Sequence, residues 1–358
     1  MRAWMSTKFP LELAAAFDLE VFCPESFGAA SAQRGAAAGL LGAADRRGYG
    51  RDLCSYTRMG LAAARELPRP DVLLCCDNIC TNMVQWYQAL SQMTGAPLLL
   101  LDIPYQCTES VSEETLDYLE AQFYRSAEAL ERITGRKWDE AAFRRCCEIE
   151  NESAEIWERI LDRSYAPDAT LESFELYDAM PLLVTGRCSV GTVARLHAME
   201  AELSQRPRRE ERRYRIFFEG TPCFPIFSEL KEALSRRKIT VAADTLTPSL
   251  TFRYEDLRGL LRAYCGTING TGLDAGLARR LDVCRRARVD GVLVHYNRSC
   301  RAWCAALPEL ERRMREALGI PVISFGGDQG DPDANAPAQL ETRLDGLLEL
   351  MEAQRYGD

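Results

Sequence analysis

The sequence predicts an α/β protein with two doubly wound, Rossmann-like parallel-sheet domains and a helical insert between them. Short runs rich in Leu, Val and Ile alternate with amphipathic stretches, a pattern typical of parallel sheets covered by helices on both faces. The length of 358 residues suits two such domains better than one core. A long charged region with helical patterning, Ser112–Ser164, separates the two strand-rich parts.

The predicted elements follow from the spacing of apolar residues. The predicted strands are Val72–Cys75, Pro97–Asp102, Pro181–Thr185, Arg215–Glu219, Ile239–Ala243, Gly291–His295 and Pro321–Phe325. The predicted helices are Thr81–Met93, Glu113–Ile133, Ile226–Arg236, Leu273–Arg286 and Leu307–Ala317. We therefore expect an N-terminal domain at 1–165, which includes a helical bridge at 112–165, and a C-terminal domain at 166–358.

Charge and composition argue against two classes of partner. A net charge of −9 is unlike a nucleic-acid-binding protein, and the densest basic run, Arg206–Arg215, is interrupted by Glu210 and Glu211. No stretch approaches the roughly 20 apolar residues of a membrane span. Met1–Pro10 lacks the features of a signal peptide. We expect a cytoplasmic protein without nucleic-acid or membrane partners.

The cysteine content is high for a protein expected in the cytosol. The chain has 14 cysteines, whereas its histidines are only His197 and His295. Cytosolic thiols stay reduced, so a disulfide framework is not expected. A metal bound here would need thiolate ligands, which favour zinc or iron–sulfur clusters. The alternative is that free cysteines are small buried apolar residues, and this is our interpretation of Cys146, Cys147 and Cys284.

Several cysteines end or follow predicted strands, the position where open α/β sheets bind ligands. They are Cys75, Cys76, Cys80, Cys107, Cys223 and Cys300. The chain contains no C-x-x-C pair, which argues against a zinc ribbon, a thioredoxin motif or a ferredoxin-type run. A metal site would therefore be assembled from separate loops with one thiolate each. Simple burial remains the alternative explanation.

Two glycine-containing segments and four carboxylates carry weaker signals. Gly266–Gly272 resembles a phosphate loop, but a turn before the next helix explains it better. Phe325–Asp328 is either an anion-binding loop or a tight turn. Carboxylates at strand ends either orient a ligand or cap the next helix. They are Asp77, Asp102, Glu219 and Asp328.

Distinctive segments are distributed along nearly the whole chain. They are Phe9–Leu13, Arg51–Tyr56, Asp77–Cys80, Trp86–Tyr87, Leu101–Tyr105, Glu219–Cys223, Asp290–Cys300 and Gly327–Pro332, followed by Gln339 and Glu341–Arg343. Together they resemble the superfamily of 2-hydroxyacyl-CoA dehydratases and benzoyl-CoA reductases, and specifically its smaller, beta-type subunits. The segment that ends at Cys300, DGVLVHYNRSC, is the longest of these matches.

The resemblance implies one 4Fe–4S cluster per subunit with three cysteine ligands. Matched residue by residue, the ligands are Cys54, Cys80 and Cys300. Two of them also follow predicted strands. The fourth ligand is left open between solvent, sulfide and another thiolate. The candidate thiolates are Cys223, Cys265 and Cys304.

The resemblance further implies a radical (R)-2-hydroxyacyl-CoA dehydratase, which eliminates water to give an enoyl-CoA. An ATP-dependent iron–sulfur activator would inject the electron. A homologous alpha-type subunit would bind the acyl-CoA thioester and form a heterodimer with this chain. Cys304 stands where the family commonly has serine, one of several departures that leave the substrate unassigned.

Two alternatives remain open. One is a subunit of an ATP-dependent benzoyl-CoA reductase, which would reduce an aromatic ring rather than eliminate water. The other is a cluster-free α/β protein that serves as a scaffold or regulator.

Overall fold

The computed structural model describes residues 1–108, 110–207 and 214–356. Residues 208–213 of the predicted basic run lie outside the described residues. Within the described ranges, eight strands form two separate four-stranded sheets, and every strand pair is parallel. The predicted α/β class with two Rossmann-like parallel sheets is therefore confirmed.

The two sheets share one strand order. The first sheet, in the order β2-β1-β3-β4, contains β1 (Arg2–Met5), β2 (Glu20–Phe22), β3 (Val72–Cys76) and β4 (Leu98–Leu101). The second sheet, in the order β6-β5-β7-β8, contains β5 (Tyr214–Glu219), β6 (Ile239–Asp244), β7 (Gly291–Asn297) and β8 (Val322–Gly327). In each sheet the second strand in sequence lies on one side of the first strand, and the third lies on the other side. Such a topological switch point opens a crevice at the carboxyl ends of the strands.

Fifteen α-helices are seen in the described residues. The first seven are α1 (Leu11–Ala16), α2 (Pro24–Gln33), α3 (Ala37–Arg46), α4 (Ser55–Ala63), α5 (Asn82–Thr94), α6 (Glu113–Thr134) and α7 (Glu140–Tyr165). The other eight are α8 (Met180–Thr185), α9 (Val190–Gln205), α10 (Phe227–Arg236), α11 (Leu257–Cys265), α12 (Leu273–Ala287), α13 (Arg301–Cys304), α14 (Leu307–Leu318) and α15 (Pro337–Tyr356). In the described part of the chain, no helix is long and apolar enough to cross a membrane.

The charged helical region forms α6 and α7, as predicted. Ser112 caps α6 by accepting a hydrogen bond from the backbone N–H of Thr115, and Asp139 caps α7 in the same way. The two ends of α7 pack into different cores, because Phe143 lies in the core of the first sheet and Trp157 in that of the second. This helix therefore connects the two halves through buried apolar contacts.

One predicted strand is wrong, and two observed strands were not predicted. Pro181–Thr185 belongs to α8, whose second residue is Pro181. A proline is tolerated in the first turn of a helix, and a short apolar run does not by itself distinguish a buried strand from a buried helix. The unpredicted strands β1 and β2 have four and three residues. Such short strands contain too few residues to display a period.

Candidate functional site

A cavity of about 810 Å³ opens where loops from both sheets meet. Its walls come from five segments. They are 52–54 before α4, 77–85 in the loop after β3 and the first turn of α5, 102–105 after β4, 269–270 before α12 and 299–302 after β7. Three of these segments contain the predicted cluster ligands Cys54, Cys80 and Cys300. The structure thus brings to one cavity three cysteines that are far apart in sequence.

Each of the three cysteines lies at the start of a helix. Cys54 immediately precedes α4, Cys300 immediately precedes α13, and Cys80 lies two residues before α5. Backbone N–H groups at helix starts have no partner within the helix and can donate to an anion. The cysteines themselves are only partly exposed.

Burial decides the protonation of these thiols. It raises the pKa of the Cys54 thiol to about 11, against the opposing effect of the backbone N–H groups of Thr57 and Tyr56. Burial also raises the pKa of Cys80 and of Cys300, and the nearby Cys54 sulfur raises that of Cys300 further. The thiols are therefore protonated at neutral pH in the metal-free chain, and metal binding would release these protons.

The three sulfurs are too widely spaced to bind a single metal ion. A tetrahedral zinc ion with Zn–S bonds of about 2.3 Å requires sulfurs about 3.8 Å apart. Within the described residues, the only group of three or more His, Cys, Asp or Glu residues whose ligand atoms all lie within 4.8 Å of one another is Glu12, Glu150 and Cys188. The Arg187 guanidinium already pairs with both glutamates of that group, 2.6 Å from Glu150 and 3.4 Å from Glu12.

The three candidates for a fourth ligand do not line the cavity. Cys265 is buried in the core of the first sheet. The Cys304 Sγ donates to the backbone oxygen of Asn297 over 3.0 Å, and Cys304 packs against the core of the second sheet. Cys223 is buried with its Sγ 2.8 Å from His295 Nε2. Among the described residues, the three predicted ligands therefore line the cavity, whereas none of the three candidate fourth ligands does.

The contact between Cys223 and His295 was not predicted. His295 Nδ1 lies 2.5 Å from the Thr221 carbonyl oxygen, so this nitrogen carries the proton and Nε2 accepts from the thiol. Burial lowers the pKa of His295 to about 4, which keeps the ring neutral. Gly220 has a φ of 118°, and a Cβ there would lie 2.9 Å from the His295 backbone oxygen. The EGTPC and HYN segments were visible in the sequence, but nothing local indicated that they meet.

The four strand-end carboxylates fall into two pairs with different surroundings. Asp77 and Asp102 line the cavity. Asp77 accepts from the Ile103 N–H over 2.8 Å, and Asp102 accepts from the exposed Tyr118 hydroxyl over 2.6 Å. Burial raises the pKa of Asp77, and the hydrogen bond and negative charge of Asp102 raise it further. These effects favour the protonated form of the Asp77 carboxyl at the cavity wall.

The other two carboxylates stabilise loops. Glu219 accepts from Arg280 and from the Trp303 indole N–H, each over 2.8 Å, which fixes the helix that follows Cys300. Asp328 accepts from the backbone N–H groups of Gly330 and Asp331, each over 2.8 Å. Phe325–Gly327 are the last residues of β8, and the Asp328 N–H donates to Asn335 Oδ1 over 3.1 Å, which favours a strand-to-loop turn over an anion-binding loop.

The glycine-rich segment 266–272 also forms a turn. The Gly270 N–H donates to the Thr267 oxygen, and the Gly272 N–H donates to the Gln106 oxygen. These amides are occupied by protein acceptors, so the segment acts as the turn before α12 and not as a phosphate loop. Asn269 and Gly270 nevertheless form part of the cavity wall.

Comparison with known proteins gives consistent matches over the whole chain. Residues 6–351 match the family described as 2-hydroxyglutaryl-CoA dehydratase, D-component. The (R)-phenyllactyl-CoA dehydratase alpha subunit of Clostridium sporogenes is 33% identical over 99% of this chain and 90% of its own length. The (R)-2-hydroxyglutaryl-CoA dehydratase alpha subunit of Acidaminococcus fermentans is 31% identical over 98% of this chain and 91% of its own length.

A more distant relative is named as a reductase. It is one of the subunits of the benzoyl-CoA reductase of Thauera aromatica, 22% identical over 97% of this chain and 87% of its own length. The resemblance to the superfamily is thus confirmed. The beta-type label is not, because the dehydratase relatives are named alpha subunits. The chain belongs to the 2-hydroxyglutaryl-CoA dehydratase D-component family.

Proposed function

We propose that this chain is the iron–sulfur subunit of a radical (R)-2-hydroxyacyl-CoA dehydratase, with one 4Fe–4S cluster held by Cys54, Cys80 and Cys300. The observation on which the proposal rests is that these three thiols, each from a different loop, line the same cavity. The named activities of the relatives support the reaction class, elimination of water to give an enoyl-CoA.

The donor set fits a polynuclear cluster. Thiolates are the usual ligands of iron–sulfur clusters, and the wide spacing of these three disfavours a single ion. Backbone amides beside each sulfur would offset the negative charge of the bound thiolates. When bound, the cluster would supply one-electron reduction of the thioester. The described cavity wall contributes no thiol besides Cys54, Cys80 and Cys300, so a fourth ligand would come from outside this set.

The remaining cavity residues have roles that do not require the cluster. Leu53, Ile79, Ile103 and Pro104 line the walls with apolar surface that limits access of water. Asp77, whose pKa is raised by burial, would be the proton donor of the cavity wall toward a leaving hydroxyl group. A cavity of about 810 Å³ has room for an acyl group beside the cluster site.

The names of the relatives favour the alpha position in the heterodimer over the beta position expected from the sequence. In that position the chain would bind the acyl-CoA itself. Its partners would be a homologous second subunit and an ATP-dependent iron–sulfur activator. Co-expression with a neighbouring homologue should give a stable heterodimer on gel filtration, whereas a single chain that dehydrates substrate unaided would contradict this arrangement.

Membership of a benzoyl-CoA reductase is the second candidate, supported by the match to the reductase of Thauera aromatica. Its lower identity, 22% against 31–33%, makes dehydration the better-supported reaction. The third interpretation, a cluster-free scaffold, does not explain why three cysteines from separate loops share one cavity.

The deciding experiment is anaerobic purification followed by iron and acid-labile sulfide analysis. The proposal expects about four irons and four sulfides per chain, and formation of enoyl-CoA when the partner subunit, the activator and ATP are added. A folded protein that contains zinc or no metal would contradict the cluster. A protein with the cluster that reduces benzoyl-CoA and leaves 2-hydroxyacyl-CoA unchanged would transfer the assignment to the reductases.

A further inference from the structure

Gln329 contacts the sulfur of one predicted cluster ligand. It lies in the loop after β8 and is 5% exposed. Its side-chain Nε2 donates to Cys54 Sγ over 3.2 Å. Gln329 belongs to the C-terminal half of the chain and Cys54 to the N-terminal half, so this hydrogen bond crosses between the two sheets.

The orientation of the Gln329 amide is determined by Asn297 at the end of β7. The backbone N–H of Gln329 donates to Asn297 Oδ1 over 3.3 Å, which leaves the Asn297 Nδ2 as the donor on its other side. That Nδ2 donates to Gln329 Oε1 over 2.8 Å. The backbone N–H of Gln329 can only donate, so the side-chain oxygen of Asn297 must face it and the Asn297 NH₂ group must face Gln329 Oε1. This arrangement directs the Gln329 NH₂ group toward Cys54.

The loop 328–331 also fixes the backbone of two ligand-bearing segments. Ser299, next to Cys300, donates from its hydroxyl to Asp328. Asp331 pairs over 3.3 Å with Arg58, a buried residue of the helix that follows Cys54. A Cβ at Gly330 would lie only 2.8 Å from Met59 Cε, so this loop packs directly against that helix.

The side-chain donor distinguishes Cys54 from the other two thiols. In the described residues, Gln329 is the only side chain that donates a hydrogen bond to any of the three sulfurs. An N–H···S hydrogen bond stabilises negative charge on sulfur, and a reduced cluster carries more negative charge than an oxidised one. Such a bond therefore raises the reduction potential.

We propose that Gln329 is a positioning residue that holds Cys54 and, through its N–H···S hydrogen bond, raises the reduction potential of the cluster. This inference rests on the proposed function, since it requires a cluster on Cys54. It assigns to the loop after β8 a role in electron transfer rather than in binding the substrate.

The test compares Gln329→Met with wild type in the anaerobic full-length protein. Methionine keeps the length and removes the donor, so the reduction potential should become more negative while the protein stays folded. Gln329→Glu also removes the donor, adds negative charge and should shift the potential further in the same direction. The matched control is Gln354→Met. Gln354 lies on the exposed side of α15 and donates to the Gly319 oxygen, so the reduction potential of this variant should equal that of wild type.

The measurement is a redox titration followed in the visible spectrum, with iron content and circular dichroism on the same samples. A folded Gln329→Met protein with less iron would support the positioning of Cys54. If both Gln329 variants retain the iron and the wild-type potential, the inference is wrong. If wild type itself binds no cluster, the proposed function is wrong, so the two failures are distinguishable.

Discussion

Cys80 and Cys300 occupy equivalent positions in the two sheets. Cys80 lies four residues beyond the end of β3, and Cys300 lies three residues beyond the end of β7. Each of these strands is the third of its sheet in sequence and pairs with the first. Both cysteines therefore lie at the switch point of a parallel sheet, and the cavity forms where the two switch points meet. Cys54 has no such counterpart and comes from the start of α4.

Replacing any of the three cavity cysteines by alanine should remove most of the iron. The reason is that each loop supplies one thiolate, so no neighbouring ligand replaces it. Cys54→Ala, Cys80→Ala and Cys300→Ala should each lose the brown absorption near 400 nm and abolish turnover. Iron analysis of Cys284→Ala serves as the control, since Cys284 is buried in the core of the second sheet. Normal iron content in all three cavity variants would contradict the ligand assignment.

Cys304→Ser should leave the cluster spectrum and the reduction potential nearly unchanged. The Cys304 sulfur donates to the Asn297 backbone oxygen over 3.0 Å and is absent from the cavity wall, and a serine hydroxyl can make the same hydrogen bond. Electron paramagnetic resonance of the reduced protein measures the effect. A changed spectrum would instead identify Cys304 as the fourth ligand, because an oxygen or an open position would then replace a thiolate.

Acid should destabilise the protein through His295. Burial depresses the pKa of this imidazole from 6.5 to about 4, so the unfolded chain binds more protons than the folded one between these values. The stability contributed by neutral His295 is complete above pH 6.5 and is lost as the pH falls to about 4, a loss of about 3 kcal/mol.

The measurement is anaerobic urea unfolding at pH 7.5 and pH 5. His295→Gln should be less stable than wild type at pH 7.5, and the difference between the two proteins should narrow at pH 5. A constant difference at both values would mean that His295 does not titrate on unfolding.

Arg187→Met should destabilise the fold by about 3–5 kcal/mol. Arg187 is buried and pairs with the buried Glu12 and Glu150, so its loss leaves two carboxylates without the cation that compensates them. The control is Arg159→Met, which removes a more exposed pair with Glu200 and should cost at most about 1 kcal/mol. Equal losses in the free energy of unfolding would show that the buried ion pairs of Arg187 stabilise the fold no more than the exposed pair of Arg159.

The sequence by itself determined the elements whose signal is local. The strands β7 and β8 were predicted because continuous apolar runs must be buried on both faces of a parallel sheet, and α6 and α7 because apolar residues recur at the helical period. The proposed cluster ligands Cys54, Cys80 and Cys300 were inferred from family motifs that each lie within a short segment.

Tertiary structure alone decided which distant segments meet. The contacts of Cys223 with His295 and of Gln329 with Cys54 join residues 72 and 275 positions apart. No local pattern encodes such contacts, because they depend on how both sheets place their carboxyl ends. The same reason explains why α11, which lies in the second half of the sequence, contributes Leu260 to the core of the first sheet. Local propensity selects helices and strands, whereas the packing of complete sheets selects the partners of their side chains.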